Sequence, residues 1–118
     1  MESTDAILAF SALAQDTRLE VFRLLVASEP DGMAAGDIAR ELAVPHNTMS
    51  SHLGVLTRAG LITSERHSRS IVYRAHLDRV REVVGFLLQD CCGGRPELCA
   101  SVIDTLTPCC SREPTHGC

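Results

Sequence analysis

Apolar residues recur at helical spacing through much of the chain, and this periodicity predicts a series of short amphipathic helices. The first covers residues 4–14. Its apolar side chains are Ile7, Leu8, Phe10, Leu13 and Ala14. A second helix begins at Asp16, which is placed to cap it. Its broad apolar face consists of Leu19, Phe22, Leu24, Leu25 and Val26. The stretch EPDGM, residues 29–33, contains proline and glycine and is predicted to form a loop.

Two helices separated by a tight connection are predicted next. The third helix covers residues 35–42, and its Ile38 and Leu42 are expected to point inward. The tripeptide AVP, residues 43–45, leads into a fourth helix that runs to about Ala59. One face of this helix is anchored by apolar residues at i, i+4 and i+7, namely Met49, Leu53 and Leu56. Gly60 follows and is expected to end it in a left-handed conformation.

After the fourth helix the period changes to two. Residues 61–75 alternate as strands do, and HSRS, residues 67–70, provides the turn of a β-hairpin. A fifth helix follows, with a stripe formed by Leu77, Val80, Val84 and Leu87. Gly93 and Gly94 are expected to end it, and Pro96 is placed to open a sixth helix. This order predicts a mainly α (α+β) fold, a winged helix-turn-helix with five to six helices and a two-stranded hairpin wing.

The length and composition of the chain predict a small protein with an aliphatic core. The 118 residues support one domain, and only 3% of them are aromatic. We expect a DNA-binding and dimerisation domain over residues 1–90 and a cysteine-rich extension over residues 91–118. No segment approaches the roughly 18 apolar residues of a membrane span. The start MESTDAIL has acidic residues where a secretory signal has basic ones, so we expect a cytoplasmic protein.

Charge is distributed unevenly along this acidic chain. Residues 46–75 contain four arginines and one glutamate, a charge of +3 that leaves −7 for the remainder. A basic segment on an acidic protein favours a confined surface for a polyanion. Small polar side chains on the fourth helix suit base edges and phosphates, and two arginines flank the hairpin turn. The predicted DNA-binding residues are His46, Asn47, Thr48, Ser50, Ser51, His52, Arg66 and Arg69. The alternative is a solvated polar helix face beside a solvated hairpin.

All six cysteines fall within the last 28 residues, at positions 91, 92, 99, 109, 110 and 118. In a reducing cytoplasm such clustering favours ligand binding or redox sensing over a disulfide framework. Thiolates select soft ions, and three of them satisfy a pyramidal arsenic(III) centre, whereas tetrahedral zinc needs a fourth ligand. Gly93 and Gly94 permit the reversal that brings Cys99 back toward Cys91 and Cys92.

Two stretches of the chain resemble the arsenical-resistance (ArsR/SmtB) family of metal-responsive repressors. They are ALAQDTRLEVFRLL and DIARELAVPHNTMSSHLGVLTRAGLITSERHSRSIVYRA, within residues 7–75. The distinctive matches are Ser50, His52, Leu53, Leu56, Ala59-Gly60-Leu61 and Tyr73-Arg74. The resemblance implies a winged-helix homodimer, in which the apolar stripe of the fifth helix pairs with its dimer mate and with the first helix. It implies binding to double-stranded operator DNA and release when a metal or metalloid binds. An enzyme such as a thiol oxidoreductase is not expected, because the sequence contains no Cys-x-x-Cys motif and an enzyme needs no recognition helix.

The sequence departs from the family in both familiar ligand boxes. The helix before the recognition helix reads AAGDIAREL and lacks the Cys-Val-Cys box of many arsenic-sensing relatives. The fifth helix offers only His76, Asp78 and Asp90 where zinc sensors have Asp and His pairs. Pro45 stands where relatives often have a capping serine.

Sensing is therefore expected at the C-terminal cysteines, which some family members use. The predicted arsenic(III) ligands are Cys91, Cys92 and Cys99, with Cys109 and Cys110 as secondary candidates. Arsenic(III) is the expected inducer, with antimony or organoarsenicals as variants, and no organic cofactor is expected. A redox-responsive or other soft-metal-responsive repressor is the alternative, and inert or zinc-binding structural cysteines are a further one.

Overall fold

The computed structural model describes residues 1–89, and in this part of the chain five α-helices accompany a three-stranded antiparallel sheet. In chain order the elements are α1 (Ser3–Leu13), α2 (Asp16–Ala27), β1 (Met33–Ala34), α3 (Ala35–Leu42), α4 (His46–Arg58), β2 (Ile62–His67), β3 (Ser70–Ala75) and α5 (Leu77–Gln89). The predicted winged helix-turn-helix fold is confirmed. The sixth helix predicted from Pro96 lies outside the described residues.

Residues Met1–Val83 form one compact unit, and α5 from Val84 onward belongs to a second. Most of that second unit lies outside the described residues, and the boundary predicted at residue 90 stays a prediction. None of the helices within residues 1–89 has the length and apolar character needed to cross a membrane.

The start of α2 differs from the sequence prediction by one residue. Gln15, with extended backbone, is the N-cap, and its side-chain oxygen accepts a hydrogen bond from the Arg18 backbone N–H at 2.9 Å. Asp16 is the first helical residue and is not the cap, so that prediction is wrong. Its carboxylate still lies at the positive end of the helix dipole, which favours an acidic residue in the first turn.

The pair α3 and α4 has the bounds that the sequence predicted. Ala43 ends α3 in the left-handed conformation with φ 55°, and the Val44 N–H donates to the Ala39 carbonyl at 3.0 Å. Pro45 is the N-cap of α4 and offers no side-chain cap. It accepts the first helical hydrogen bond, from the Met49 N–H at 2.9 Å. The helix-turn-helix therefore forms without a side-chain cap at the start of α4.

The wing is a hairpin with a third strand added. In the register of β2 and β3, Ile62 pairs with Ala75 and His67 with Ser70, so the turn is two residues long, shorter than predicted. Ser68 in this turn has φ 59°. Strand β1 pairs Met33 with Tyr73, so the predicted loop over residues 29–33 ends in a strand. A two-residue strand is too short to show alternation in a sequence.

The core gathers around the helix-turn-helix. The largest fully buried side chains are Val21, Leu25, Ile38, Met49, Leu53, Leu56, Leu61 and Ile62. Helix α1 contributes small residues to the interior, Ala6, Ala9 and Ala12, and exposes Ile7, Leu8 and Phe10. At the start of α5, Val80 packs against the core and Val83 is buried, whereas Leu77 is exposed. Among residues 1–89, nothing therefore covers the apolar face of α1 that Ile7, Leu8 and Phe10 form.

Candidate nucleic-acid interface

One face of helix α4 packs into the core, and the opposite face is exposed to solvent. Met49, Leu53 and Leu56 are each at most 1% exposed, which confirms the predicted anchor. Successive residues of a helix are rotated by about 100°. The positions opposite the anchor are therefore Asn47, Ser51, Gly54 and Arg58. The first turns of α4 display small polar groups, and Arg58 adds a positive charge near its end.

Most of the predicted DNA-binding residues lie on the surface. Those that are exposed on α4 are His46, Asn47, Thr48, Ser50 and Ser51. The Asn47 side-chain oxygen accepts a hydrogen bond from the Thr48 backbone N–H at 2.9 Å. The Asn47 oxygen is thus engaged with the backbone, while its amide NH₂ provides two further hydrogen-bond donors. The arrangement supplies both hydroxyl and amide groups at the helix N-terminus.

His52 differs from its neighbours because it is half-buried, on the edge of the anchored face. Its Nδ1 lies 3.5 Å from a terminal nitrogen of Arg18 on α2. Sequence reasoning missed Arg18, because 34 positions separate the two residues and no local pattern links them. The structure thus places His52 where it contacts both the protein interior and the surface.

The two arginines predicted to flank the wing turn are both exposed. Arg66 is opposite Ile71 in the register, and Arg69 lies in the turn itself. On the other face of β2, Glu65 and His67 are joined by a 2.9 Å contact between the His67 Nε2 and the carboxylate. Side chains alternate along a strand, so Arg66 is on the face opposite the acidic Glu65.

Arg74 is less available than its place in the basic segment suggests. Its guanidinium donates two hydrogen bonds to the Glu29 carboxylate, at 2.7 and 3.2 Å. These hydrogen bonds lower the pKa of Glu29 below its ordinary value and raise that of Arg74. With Arg74 paired to Glu29, the positive charge left in residues 46–75 comes from Arg58, Arg66 and Arg69, against the single negative charge of Glu65.

The end of α4 is joined to the start of α5. Gly60 has φ +78°, as the sequence predicted, and its carbonyl lies 3.0 Å from His76 Nδ1. The His76 backbone N–H donates to the Leu61 carbonyl at 2.9 Å. Above Gly60 lies the Arg79 guanidinium, whose buried Nε has no hydrogen-bond partner among the described residues. His76 is therefore used in holding the junction of α4 and α5.

The predicted arsenic ligands Cys91, Cys92 and Cys99, and the secondary candidates Cys109 and Cys110, lie outside the described residues. Within residues 1–89, no three His, Cys, Asp or Glu side chains are grouped so that they could hold a metal ion. The described part of the chain thus contains the candidate nucleic-acid surface, and the ligand set stays a prediction.

Comparison with known sequences identifies the same segment. Residues 13–65 match the family described as "Helix-turn-helix domain". An uncharacterized HTH-type transcriptional regulator of Methanocaldococcus jannaschii is 33% identical over 75 residues, which are 64% of this chain and 82% of that protein. The transcriptional repressor SdpR of Bacillus subtilis is 28% identical over 79 residues, which are 67% of this chain and 84% of that protein.

Solved structures with the same arrangement include an ArsR-like transcriptional regulator from Rhodococcus sp. RHA1. Its TM-score is 0.67, at 24% identity, over 90% of this chain and 95% of that chain. A homodimeric winged helix-turn-helix DNA-binding domain from Mycobacterium bovis, a possible ArsR-family transcriptional regulator, has a TM-score of 0.61 at 24% identity. It covers 82% of this chain and 84% of that chain. At these identities the likeness establishes the fold.

Proposed function

Because this chain belongs to the helix-turn-helix transcriptional regulators and has the winged-helix fold of ArsR-like regulators, we propose that it is an arsenic(III)-responsive repressor. It binds operator DNA as a homodimer, and arsenic(III) releases it. The observation that carries DNA binding is the exposed polar face of α4, held rigidly by three buried side chains. A helix presented in this way fits the major groove, and its polar groups suit base edges and phosphates.

The wing extends the proposed DNA surface beyond the major groove. Arg66 and Arg69 are exposed at its tip, where flexible cations can neutralise phosphates. Arg58 adds a third cation at the end of α4. Phosphate contacts supply affinity and orientation, whereas the polar residues of α4 supply the discrimination between sequences.

Two copies of the chain are proposed to pair through the apolar face of α1. Ile7 is 66% exposed and Phe10 is 40% exposed, which is unusual for adjacent large apolar residues on a small regulator. The homodimeric winged helix-turn-helix domain from Mycobacterium bovis supports the proposal that this chain also forms a homodimer. Pairing sets the spacing of the two α4 helices, which must match half-sites about 34 Å apart.

The proposed inducer site consists of Cys91, Cys92 and Cys99. Arsenous acid exchanges its three hydroxides for the sulfurs of three cysteine thiols, and the three thiol protons leave with the hydroxides as three waters, without a change of oxidation state. Supporting this choice are the soft character of thiolates and the finding that residues 1–89 contain no cluster of three His, Cys, Asp or Glu side chains that could hold an ion. Antimony(III) has the same ligand preference, and organoarsenicals need fewer sulfurs.

Release follows when arsenic(III) binds better to the dimer geometry that does not match the operator. Only such a difference in affinity can shift the population between two geometries. The cysteines follow α5 in sequence, and α5 begins at the junction that holds the end of α4. Couplings of this kind typically change DNA affinity by roughly 5- to 150-fold.

The test begins with a duplex selected from a randomised library by binding to the full chain. Fluorescence anisotropy then follows the labelled duplex while arsenite is added under reducing conditions. We expect the affinity to fall by about 5- to 150-fold. Unchanged binding at saturating arsenite would reject arsenic sensing. Absence of any selected duplex would reject DNA binding itself.

Cysteine variants separate the proposed site from the alternatives. Cys99→Ser should bind DNA as the wild type does and lose the arsenite response, whereas Cys118→Ser, the matched control, should keep it. If Cys99→Ser responds normally, the third ligand belongs to the pair Cys109 and Cys110. Release by peroxide without metalloid, reversed by a reductant, would instead support the redox-responsive repressor.

A further inference from the structure

The guanidinium of Arg18 joins three helices. Its Nε donates to the Ala12 carbonyl at 2.6 Å, and its Nη2 lies 3.5 Å from the Ser11 carbonyl, both at the end of α1. Its Nη1 lies 3.5 Å from Nδ1 of His52 on α4. The backbone N–H of Arg18 is itself held by Gln15 at the start of α2. One side chain therefore connects the recognition helix to the exposed helix α1.

The chemistry of guanidinium and imidazole decides which of Arg18 and His52 donates the hydrogen bond. A guanidinium has only donors and stays protonated at any physiological pH. Nδ1 of His52 must therefore accept, which requires an unprotonated nitrogen. In a neutral imidazole the ring hydrogen then resides on Nε2, on the other side of the ring. His52 is half-buried, so part of its side chain is still exposed to solvent.

We infer that Arg18 is a positioning residue that holds His52 as the Nε2–H tautomer, so that position 52 acts as a hydrogen-bond donor toward DNA. The inference rests on the proposed DNA-binding function and names the chemistry of one contact within it. The partner of His52 is an acceptor, either a phosphate oxygen or a base-edge acceptor such as a purine N7. An amino group of cytosine or adenine does not fit.

A simpler role for Arg18 is to cap α1. The last carbonyls of a helix lack intrahelical partners, and Arg18 supplies donors to two of them. That role predicts a loss of stability but no particular effect at His52. Measurements at His52 itself therefore separate positioning from capping.

The first measurement uses the free protein. Nitrogen NMR of the ¹⁵N-labelled full chain at mildly alkaline pH reports which imidazole nitrogen carries the hydrogen, and the His52 signals are assigned by their loss in His52→Gln. We expect a protonated Nε2 in the wild type and a mixture of tautomers in Arg18→Gln. Exposed Arg23 is on the same helix, so Arg23→Gln is the matched control and should leave the signals unchanged. A protonated Nδ1 in the wild type, or His52 signals unaffected by Arg18→Gln, would overturn the inference.

The second measurement compares two replacements of His52 by their affinity for the selected duplex. Glutamine places its amide near the position of Nε2 and keeps the outward donor, whereas asparagine places its amide near Nδ1. We expect His52→Asn to bind roughly two- to tenfold more weakly than His52→Gln, the range for one hydrogen bond. Equal losses for the two variants would overturn the inference.

The double variant tests the link between the two residues. In the His52→Asn background, Arg18→Gln should cost far less affinity than it does in the wild type, because interacting residues are not additive. Fully additive losses would show that Arg18 acts elsewhere and would overturn the inference. If the wild type binds no duplex, the proposed function fails, while the NMR measurement still decides whether Arg18 controls the tautomer.

The source of the acceptor is identified with modified duplexes. Methylphosphonate substitution removes a phosphate charge, and 7-deazapurines remove N7. The modification that abolishes the difference between His52→Asn and His52→Gln identifies the acceptor. A difference that persists on every modified duplex would contradict a direct contact from His52.

Discussion

Gly60 stands at the junction where the recognition helix ends and the wing begins. Its φ of +78° lies in the region that side chains with a Cβ rarely adopt. A Cβ built at this position would lie 2.6 Å from the Arg79 Nε and 2.7 Å from its Nη2. The backbone conformation therefore disfavours any residue with a Cβ, and the Arg79 side chain would have to shift to make room for one.

Gly60→Ala should lower the free energy of unfolding by roughly 1–3 kcal/mol, the usual cost of a strained backbone position. Urea unfolding followed by circular dichroism measures this. The control is Gly36→Ala on α3, where a new Cβ meets only the Arg40 side-chain end at 3.5 Å. That change should be neutral or stabilise by up to about 1 kcal/mol. Equal effects of the two substitutions would contradict the special role of Gly60.

The sequence predicted the conformation and burial of some residues but not the contacts between residues far apart in the chain. The left-handed glycine and the buried Met49, Leu53 and Leu56 were predicted, because glycine after a helix and an i, i+4, i+7 pattern are local signals. Contacts between distant residues were not. Arg18 and His52 are 34 positions apart, and their meeting depends on how α2 packs against α4.

At the scale of elements, the wing is held to the body by an ion pair from outside the hairpin. Glu29 follows α2, and its carboxylate accepts two hydrogen bonds from Arg74 on β3. The pKa of Glu29 is lowered because the hydrogen bond from Arg74 favours its charged form. A carboxyl with a lowered folded-state pKa stabilises the fold above its ordinary pKa. This contribution is lost as the pH falls through the folded-state value.

Glu29→Gln should therefore lower the Tm slightly at neutral pH, and the difference from wild type should vanish as the pH falls below the ordinary glutamate value of 4.5. Thermal unfolding at a series of pH values measures this. Glu20→Gln, at an exposed glutamate of α2, is the control and should show a smaller difference at neutral pH. A difference for Glu29→Gln that grows on acidification would have the wrong sign and would rule out the ion pair as its cause.

The tip of the wing is proposed to contact phosphates, which predicts a change in salt dependence. Arg66→Gln removes one cation from each protomer, so the slope of log K against log salt should become shallower by about 0.9 for each phosphate that is no longer neutralised, close to two in a dimer. Arg69→Gln should behave similarly. Anisotropy titrations of the selected duplex at several salt concentrations provide the slopes. Arg23→Gln should leave the slope nearly unchanged, and a slope unaffected by either wing variant would place the wing away from the DNA backbone.

Elements with strong periodicity and clear boundaries were predictable. The bounds of α3 agreed with the prediction because Gly32 and Pro45 limit the segment and Ile38 and Leu42 mark its inner face. Strand β1 was missed because it is two residues long and owes its existence to Tyr73 and Val72 on β3. The cap of α2 was assigned to Asp16 because aspartate is a common cap, yet Gln15 has the extended backbone.

For the whole molecule, the main feature is the apolar surface of α1. The sequence predicted the helix, but its buried residues are alanines, and the larger apolar residues Ile7, Leu8 and Phe10 are exposed. Periodicity alone does not distinguish a face that packs within the chain from one that packs against a second copy. The structure is therefore needed to show that Ala9 is buried within the chain whereas Ile7 is exposed.

Ile7→Glu combined with Phe10→Glu should convert the proposed dimer to a monomer without unfolding it, because both residues are exposed in the single chain. Sedimentation measures the mass, and circular dichroism checks that the helices persist. Each protomer then binds its half-site independently, so affinity for the selected duplex should fall by about 10²- to 10⁴-fold, the usual gain from linking two sites. Val26→Glu, at an exposed apolar residue of α2, should leave both mass and affinity unchanged. A doubly substituted chain that still sediments as a dimer would move the interface away from α1, whereas a monomer of undiminished affinity would show that DNA recognition needs only one copy.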